Sequence, residues 1–102
     1  MCGRFALSAM LTDIAEEFST QALPDRTLPV DWNIKPTQDI YIIKNEEINI
    51  ASWGLIAPWS KNSHDALRSQ SQAINARSES VHEKPTFRSA FRNHRCLVPA
   101  SG

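Results

Sequence analysis

The strongest constraint on the fold is a pair of apolar segments separated by a short polar one. Residues 40–43 read Ile-Tyr-Ile-Ile, residues 44–47 read Lys-Asn-Glu-Glu, and apolar residues return over 48–55. Two such segments around a polar turn predict an antiparallel hairpin. Because the apolar phase shifts after Ile50 to Ala51, we expect a bulge or bend in the second strand.

Helical periodicity marks one segment before this hairpin. Apolar side chains recur at helical spacing over residues 9–18, and Ser8 precedes them as the expected N-cap. The side chains expected to face inward are Met10, Leu11, Ile14, Ala15 and Phe18. Residues 19–38 contain three prolines, so we expect irregular structure there.

Weaker patterns follow the hairpin. The sequence predicts a polar loop over 59–71, a short strand over 72–77, one helical turn over 78–83 and a last strand over 95–99. Between the last two lies a predicted short helix capped by Thr86; its inward residues are Phe87, Ala90 and Phe91, and its outward ones are Arg88 and Arg92. This mixture predicts an α+β domain.

Length and composition exclude several classes of protein. The chain has 102 residues, 41% hydrophobic and 22% charged, which fits one small globular domain and not a disordered tail or a coiled coil. No apolar run is long enough for a transmembrane helix, so no membrane partner is expected. Cys2 and Cys96 make neither a disulfide framework nor a zinc site, and Cys96 is expected to be buried in the last strand. We expect no metal and no cofactor.

The zero net charge conceals two halves of opposite sign. Residues 1–50 carry four bases and eight acids, and residues 51–102 carry seven bases and three acids. Five of the later bases are arginines, which contact phosphate bidentately better than lysine does. The second half therefore suits an anionic partner, and an ordinary solvated surface is the alternative.

Cys2 is the first candidate for chemistry. It follows Met1 directly, and removal of Met1 would leave a free α-amine and a thiol on adjacent carbons. Both groups titrate near ~8, so both are partly reactive at neutral pH. Such a 1,2-aminothiol reacts with an aldehyde to form a Schiff base and then a thiazolidine. The alternative is a small residue without special function.

Three further segments are candidates for binding. Trp53 and Trp59 flank a Gly and a Pro and could stack on unpaired bases, or could be core residues. Asn75 and Arg77 offer amide groups and a guanidinium fork, with Glu79 expected to orient Arg77; a turn and a surface ion pair are the alternative. The tract over 87–95 interleaves phenylalanines with arginines, as nucleic-acid contacts or a basic helix face would.

Taken together, these segments resemble the SOS response-associated peptidase (SRAP) family along the whole chain. The motifs that carry the resemblance are Met1-Cys2-Gly3-Arg4-Phe5, Trp32-Asn33-Ile34-Lys35-Pro36-Thr37, Trp53-Gly54-Leu55-Ile56, Ile74-Asn75-Ala76-Arg77-Ser78-Glu79, Phe87-Arg88 and Arg95-Cys96-Leu97-Val98-Pro99-Ala100. The resemblance implies a curved, barrel-like antiparallel sheet with short flanking helices.

The resemblance also implies a function. It implies a sensor of abasic sites that crosslinks the ring-opened sugar in single-stranded DNA to Cys2 as a thiazolidine, after autoproteolytic removal of Met1. Weak lyase activity is an expected side reaction. By the same resemblance, Asn75 would hold the cysteine or the sugar, Trp53 and Gly54 would border the DNA groove, and Asn33 would lie near the cysteine. The implied phosphate contacts are Arg4, Arg77, Arg88 and Arg92.

The resemblance implies a longer domain than this chain. The family continues into a Gly-Phe-Tyr-Glu-Trp-like segment and a later histidine, so residues 1–102 are expected to be the N-terminal portion of one truncated domain. The alternative is a non-catalytic single-stranded DNA-binding or inert fragment. Unpaired strand edges could support self-association. The expected location is the cytoplasm, at the nucleoid, for a bacterial protein and the nucleus for a eukaryotic one.

Overall fold

The computed structural model describes residues 3–102; Met1 and Cys2 lie outside the described residues. The chain is α+β, as predicted, with small antiparallel sheets and short helices. The elements in chain order are β1 (Phe5–Leu7), α1 (Leu11–Glu17), β2 (Asp31–Ile34), β3 (Asp39–Lys44), β4 (Glu47–Ser52), α2 (Ser63–Gln72) and α3 (Arg88–Asn93).

The predicted hairpin is confirmed as β3 and β4. Its register is unbroken from Lys44 opposite Glu47 to Asp39 opposite Ser52, so the bulge expected after Ile50 is wrong. Ala51 and Ser52 remain paired, and the chain bends at residues 53–54, directly after the strand. Asn45 and Glu46 form the turn with positive φ values of 53° and 62°, the conformation that two-residue hairpin turns favour.

The strand β2 lies inside the segment expected to be irregular. It pairs with β1, with Phe5 opposite Ile34 and Leu7 opposite Asp31. The three residues of β1 therefore lie opposite the four of β2, a bulge that removes the alternating apolar pattern. The prolines at 29 and 36 border β2 without interrupting it, so they limit its length only.

The segment 97–102 connects the two sheets. Leu97 exchanges backbone hydrogen bonds with Ile43 of β3, at 2.9 and 3.0 Å, and Ser101 and Gly102 bond to Ala6 of β1, both at 2.7 Å. The strand predicted over 95–99 is reduced to the bridge at Leu97, because Pro99 has no N–H to continue a ladder. Within residues 3–102 the sheets have two strands each and form no closed barrel.

The core lies between α1 and the two sheets. Its buried members are Leu7, Ile14, Ile34, Ile40, Tyr41, Ile43 and Ile48. α1 is shorter than predicted, and Met10 and Phe18 are exposed at its ends, not buried. Ser8 is not the N-cap: Met10 occupies that position, and the Ser8 N–H instead donates to Ser101 Oγ at 3.0 Å.

Two predictions after the hairpin are also wrong. Residues 63–72 form α2, not a loop, and residues 73–77 form no strand. Asn62 begins α2, since its Oδ1 accepts the Asp65 N–H at 2.9 Å. The helical turn over 78–83 is confirmed by the Arg77 carbonyl, which accepts the Ser80 and Val81 N–H groups. In α3 the N-cap is Phe87 and not Thr86, and its backbone is already helical.

Candidate nucleic-acid interface

Gly3 is held between two of the segments that the sequence marked. The indole Nε1 of Trp53 donates to the Gly3 carbonyl at 2.9 Å, and the Trp53 ring packs edge-on against Phe5 at 5.7 Å between centroids. On its other side, a Cβ added to Gly3 would stand 2.7 Å from the Cδ1 atom of Ile74. The residue that follows Cys2 in the sequence is therefore fixed beside the segment that contains Asn75.

Gly54 is required where the chain leaves β4. Its φ is 103°, which side chains rarely tolerate, and an added Cβ would stand 2.9 Å from the Cα atom of Gln70. The last turn of α2 therefore packs directly against Gly54. The structure thus gives Gly54 and the half-buried Trp53 packing roles, and their expected place at a DNA groove stays a prediction.

Ser69 ties α2 to the segment after Gly54. Its hydroxyl accepts the Ala57 N–H at 2.8 Å and donates to the Leu55 carbonyl at 2.7 Å. The Leu55 N–H in turn donates to the Ala73 carbonyl at 3.1 Å. These bonds fix the backbone two residues before Asn75.

A groove of about 550 Å³ opens along α2 and is called the α2 groove below. Its lining residues are Ala57, Trp59, Ser60, Asp65, Arg68, Ser69, Gln72, Ala73, Asn75, Lys84, Thr86 and Phe87. A second cavity of about 390 Å³, the Arg77 pocket, is lined by Asn75, Ala76, Arg77, Ser80, Lys84 and Phe87. Three residues belong to both, and Asn75 is one of them, so its exposed amide lies where the two cavities meet.

The arginines expected to contact phosphate are all exposed. Ion pairs within residues 3–102 join Arg26 to Asp39 at 2.6 Å and His82 to Glu83 at 3.3 Å, and none involves the predicted set Arg4, Arg77, Arg88 and Arg92. Glu79 does not orient Arg77, because its carboxylate accepts from the Ser78 hydroxyl at 3.4 Å instead. These guanidinium groups have no protein anion to displace before they bind a phosphate.

The aromatic side chains of the basic tract differ from the prediction. Phe91 was expected inward, but it is 36% exposed and lies under the guanidinium of Arg95 at 4.3 Å. Six residues are too few for α3 to bury a complete apolar face, and no residue of α3 is buried. Cys96 is also exposed and free, not buried, since the segment around it forms only the bridge at Leu97.

Asn33 lies in β2, next to the strand that Arg4 precedes. Its side chain is exposed, and its N–H donates to Asp31 Oδ1 at 2.8 Å. The Asn33 N–H, followed by the Gln38 amide, holds the pKa of the Asp31 carboxyl below its ordinary value. Phe5 lies opposite Ile34, so Asn33 is in the strand beside β1, and Arg4 comes just before β1.

Two residues of the α2 groove were missed by sequence reasoning as site residues. The sequence predicts a loop where α2 lies, so it does not identify Arg68 as a groove residue. Lys84 enters the sequence analysis only through the count of positive charges. The available signal was Asn62 followed three residues later by Asp65, a helix-start pattern. For Trp59 the sequence allows either base stacking or core packing, and the side chain is 57% exposed.

Over residues 3–102, no three His, Cys, Asp or Glu side chains come close enough together to hold a metal ion. No helix in that range combines the length and apolar character that crossing a membrane requires.

Comparisons with known proteins agree on one family. The family model described as SOS response associated peptidase (SRAP) matches residues 1–102. The curated abasic site processing proteins YoqW and YoaM of Bacillus subtilis are 38% and 36% identical to the chain over 98% of its length. The chain spans about half of these relatives, 45% of YoqW and 44% of YoaM.

Two crystal structures share the fold. A protein from Bacteroides thetaiotaomicron superposes with a TM-score of 0.84 and 27% identity over 99% of this chain and 47% of that one. A protein from Bordetella bronchiseptica gives a TM-score of 0.73 over 97% of this chain and 48% of that one; its 24% identity bears on the fold alone.

Proposed function

Because the chain belongs to the SOS response associated peptidase family, we propose that it acts at abasic sites in single-stranded DNA. The observation that carries the proposal is the anchoring of Gly3 between Trp53 and Ile74. Gly3 follows Cys2 directly in the sequence, and it lies beside the segment that contains Asn75. The names of the relatives YoqW and YoaM support the substrate.

Cys2 is the proposed nucleophile, and its chemistry requires loss of Met1. Hydrolysis of the bond between Met1 and Cys2 consumes one water and frees the α-amine of Cys2. The amine then adds to the aldehyde of the ring-opened sugar and releases one water as the Schiff base forms. The thiol adds across the C=N bond, its proton passes to the nitrogen, and a five-membered thiazolidine results. Elimination of a phosphate from the Schiff base would give the weaker lyase reaction.

The described residues supply binding groups for this reaction. The exposed amide of Asn75 would donate to the sugar or to the cysteine from the junction of the α2 groove and the Arg77 pocket. The exposed guanidinium groups of Arg4, Arg77, Arg88 and Arg92 would contact phosphates. The positive balance of residues 51–102 would attract a single strand despite the zero net charge of the chain.

Non-covalent binding of single-stranded DNA is the second candidate function. The exposed arginines, which form no ion pair within residues 3–102, support it as well as they support the first, since a phosphate contact does not require Cys2. A strand held this way dissociates on denaturation, whereas a thiazolidine survives it. Denaturing electrophoresis therefore separates the two functions.

Cys2→Ala tests the nucleophile, and Cys96→Ala is its matched control. Cys96 is exposed, so it is the thiol that would react in a nonspecific way. With an oligonucleotide that carries one abasic site, we expect Cys2→Ala to abolish the denaturation-resistant adduct and Cys96→Ala to leave it intact. An adduct that persists in Cys2→Ala, or disappears in Cys96→Ala, excludes the proposed mechanism.

A further inference from the structure

We infer that the α2 groove holds a phosphate of the DNA strand between Arg68 and Lys84, beyond the part of the strand that Arg77 contacts. This inference rests on the proposed function, because it extends the path of the same strand past Asn75. Arg68 projects from α2, and Lys84 comes from the turn before α3. Both line the α2 groove, and Lys84 also lines the Arg77 pocket, so the two cavities adjoin at Lys84.

The charges at this groove favour an anion. Arg68 and Lys84 are both exposed, and neither takes part in an ion pair within the described residues 3–102. The one acid in the lining is Asp65, whose Oδ2 accepts the Lys61 N–H at 3.3 Å. The hydroxyls of Ser60 and Thr86 add neutral donors.

The backbones that carry the two cations are fixed. Arg68 precedes Ser69, whose hydroxyl makes hydrogen bonds of 2.8 and 2.7 Å to the segment 55–57. The Lys84 N–H donates to the Ser80 carbonyl at 2.9 Å, and the Lys84 carbonyl accepts from Phe87 and Arg88 at 3.0 and 2.8 Å. A ligand therefore orders the ends of two side chains and not the loops behind them, which lowers the entropy cost of binding.

The groove chemistry fits a phosphodiester in a strand or the phosphate of a free nucleotide. The adjoining Arg77 pocket favours the strand, because it offers a guanidinium for a second phosphate. The test therefore compares an undamaged single-stranded oligonucleotide with free thymidine monophosphate.

The experiment measures how the binding constant of the full chain for the oligonucleotide depends on salt. Each lost phosphate contact lowers the slope by about 0.7, which is about fivefold in affinity at ~0.1 M salt. We expect this change in Arg68→Gln and in Lys84→Gln. Lys61→Gln is the matched control, because it removes the same charge beside α2 from a residue outside the groove lining, and its slope should be unchanged.

The outcomes separate this inference from the proposed function, since the oligonucleotide has no abasic site and forms no adduct. Lowered slopes in Arg68→Gln and Lys84→Gln support the inference even if no adduct with abasic DNA is ever found. Unchanged slopes, or an equal change in Lys61→Gln, overturn it even if the adduct forms. Tighter binding of thymidine monophosphate than of the oligonucleotide, lost in the same variants, overturns the strand as the source of the phosphate.

Discussion

At Gly54 the backbone has a φ of 103°, and the backbone of Gln70 occupies the space a side chain would need. The resemblance marked this glycine as part of a DNA groove, whereas the structure explains it by packing. Trp53 is similar, since its indole N–H is already used by the Gly3 carbonyl. Trp53 therefore holds Gly3, and Gly54 allows α2 to pack against the segment that follows β4.

Gly54→Ala is expected to destabilise the chain by about 2 kcal/mol or more, because positive φ and a backbone overlap both act against the new methyl. Gly102→Ala is the control, since an added Cβ there meets nothing within 4 Å, and it should change stability by less than about 0.5 kcal/mol. Urea unfolding measures both. Equal free energies of unfolding for Gly54→Ala and the unchanged chain would contradict the packing role.

Among the elements, the hairpin was predicted from local sequence and α2 was not. β3 and β4 contain closely spaced apolar residues on both sides of a turn, so the hairpin can be recognised in the local sequence. The buried residue of α2 is Gln70, and Leu67 on the same helix is 53% exposed, so α2 shows no apolar stripe. Its hydrogen bonds to the segment 55–57 depend on tertiary contacts, which a local pattern does not contain.

The strand β2 should weaken in acid. The pKa of the Asp31 carboxyl is lowered in the folded chain, so the ionised form contributes stability above the unfolded value near ~3.9 and that contribution is lost as pH falls through the folded pKa. Between pH ~5 and ~2, the free energy of unfolding should therefore decrease less in the Asp31→Asn variant than in the unchanged chain.

Urea unfolding across that pH range measures the difference. Asp25→Asn is the control, because Asp25 is an exposed carboxylate that lies outside the strands. If the chain with Asp31→Asn loses as much stability in acid as the unchanged chain, the carboxylate does not support β2.

The two sheets depend on residues at opposite ends of the chain. Ile43 pairs with Leu97 and Ala6 bonds to Ser101 and Gly102, so the last six residues connect β3 to β1. The chain covers 45% of YoqW, and the described sheets form no closed barrel. The resemblance therefore predicted the family and the α+β class correctly, and residues 3–102 form two small sheets without a closed barrel.

The candidate site also depends on contacts across the whole chain. Asn75 and Arg77 were predicted as site residues from one short motif, and both line cavities in the structure. Arg68 and Lys84 share a groove only because α2 packs near the turn before α3, and no local spacing relates them. Sequence reasoning therefore marks cavity residues that lie within one motif and does not relate those that tertiary packing brings together, while the functional roles of all of them stay predictions.

The most direct test of the proposed function is the intact mass of the purified chain, alone and after incubation with single-stranded DNA that carries one abasic site. We predict a chain that lacks Met1 and, after incubation, a covalent species heavier by the oligonucleotide minus one water, as thiazolidine formation requires. Retention of Met1, or a processed chain that gives no such species, would contradict the covalent mechanism.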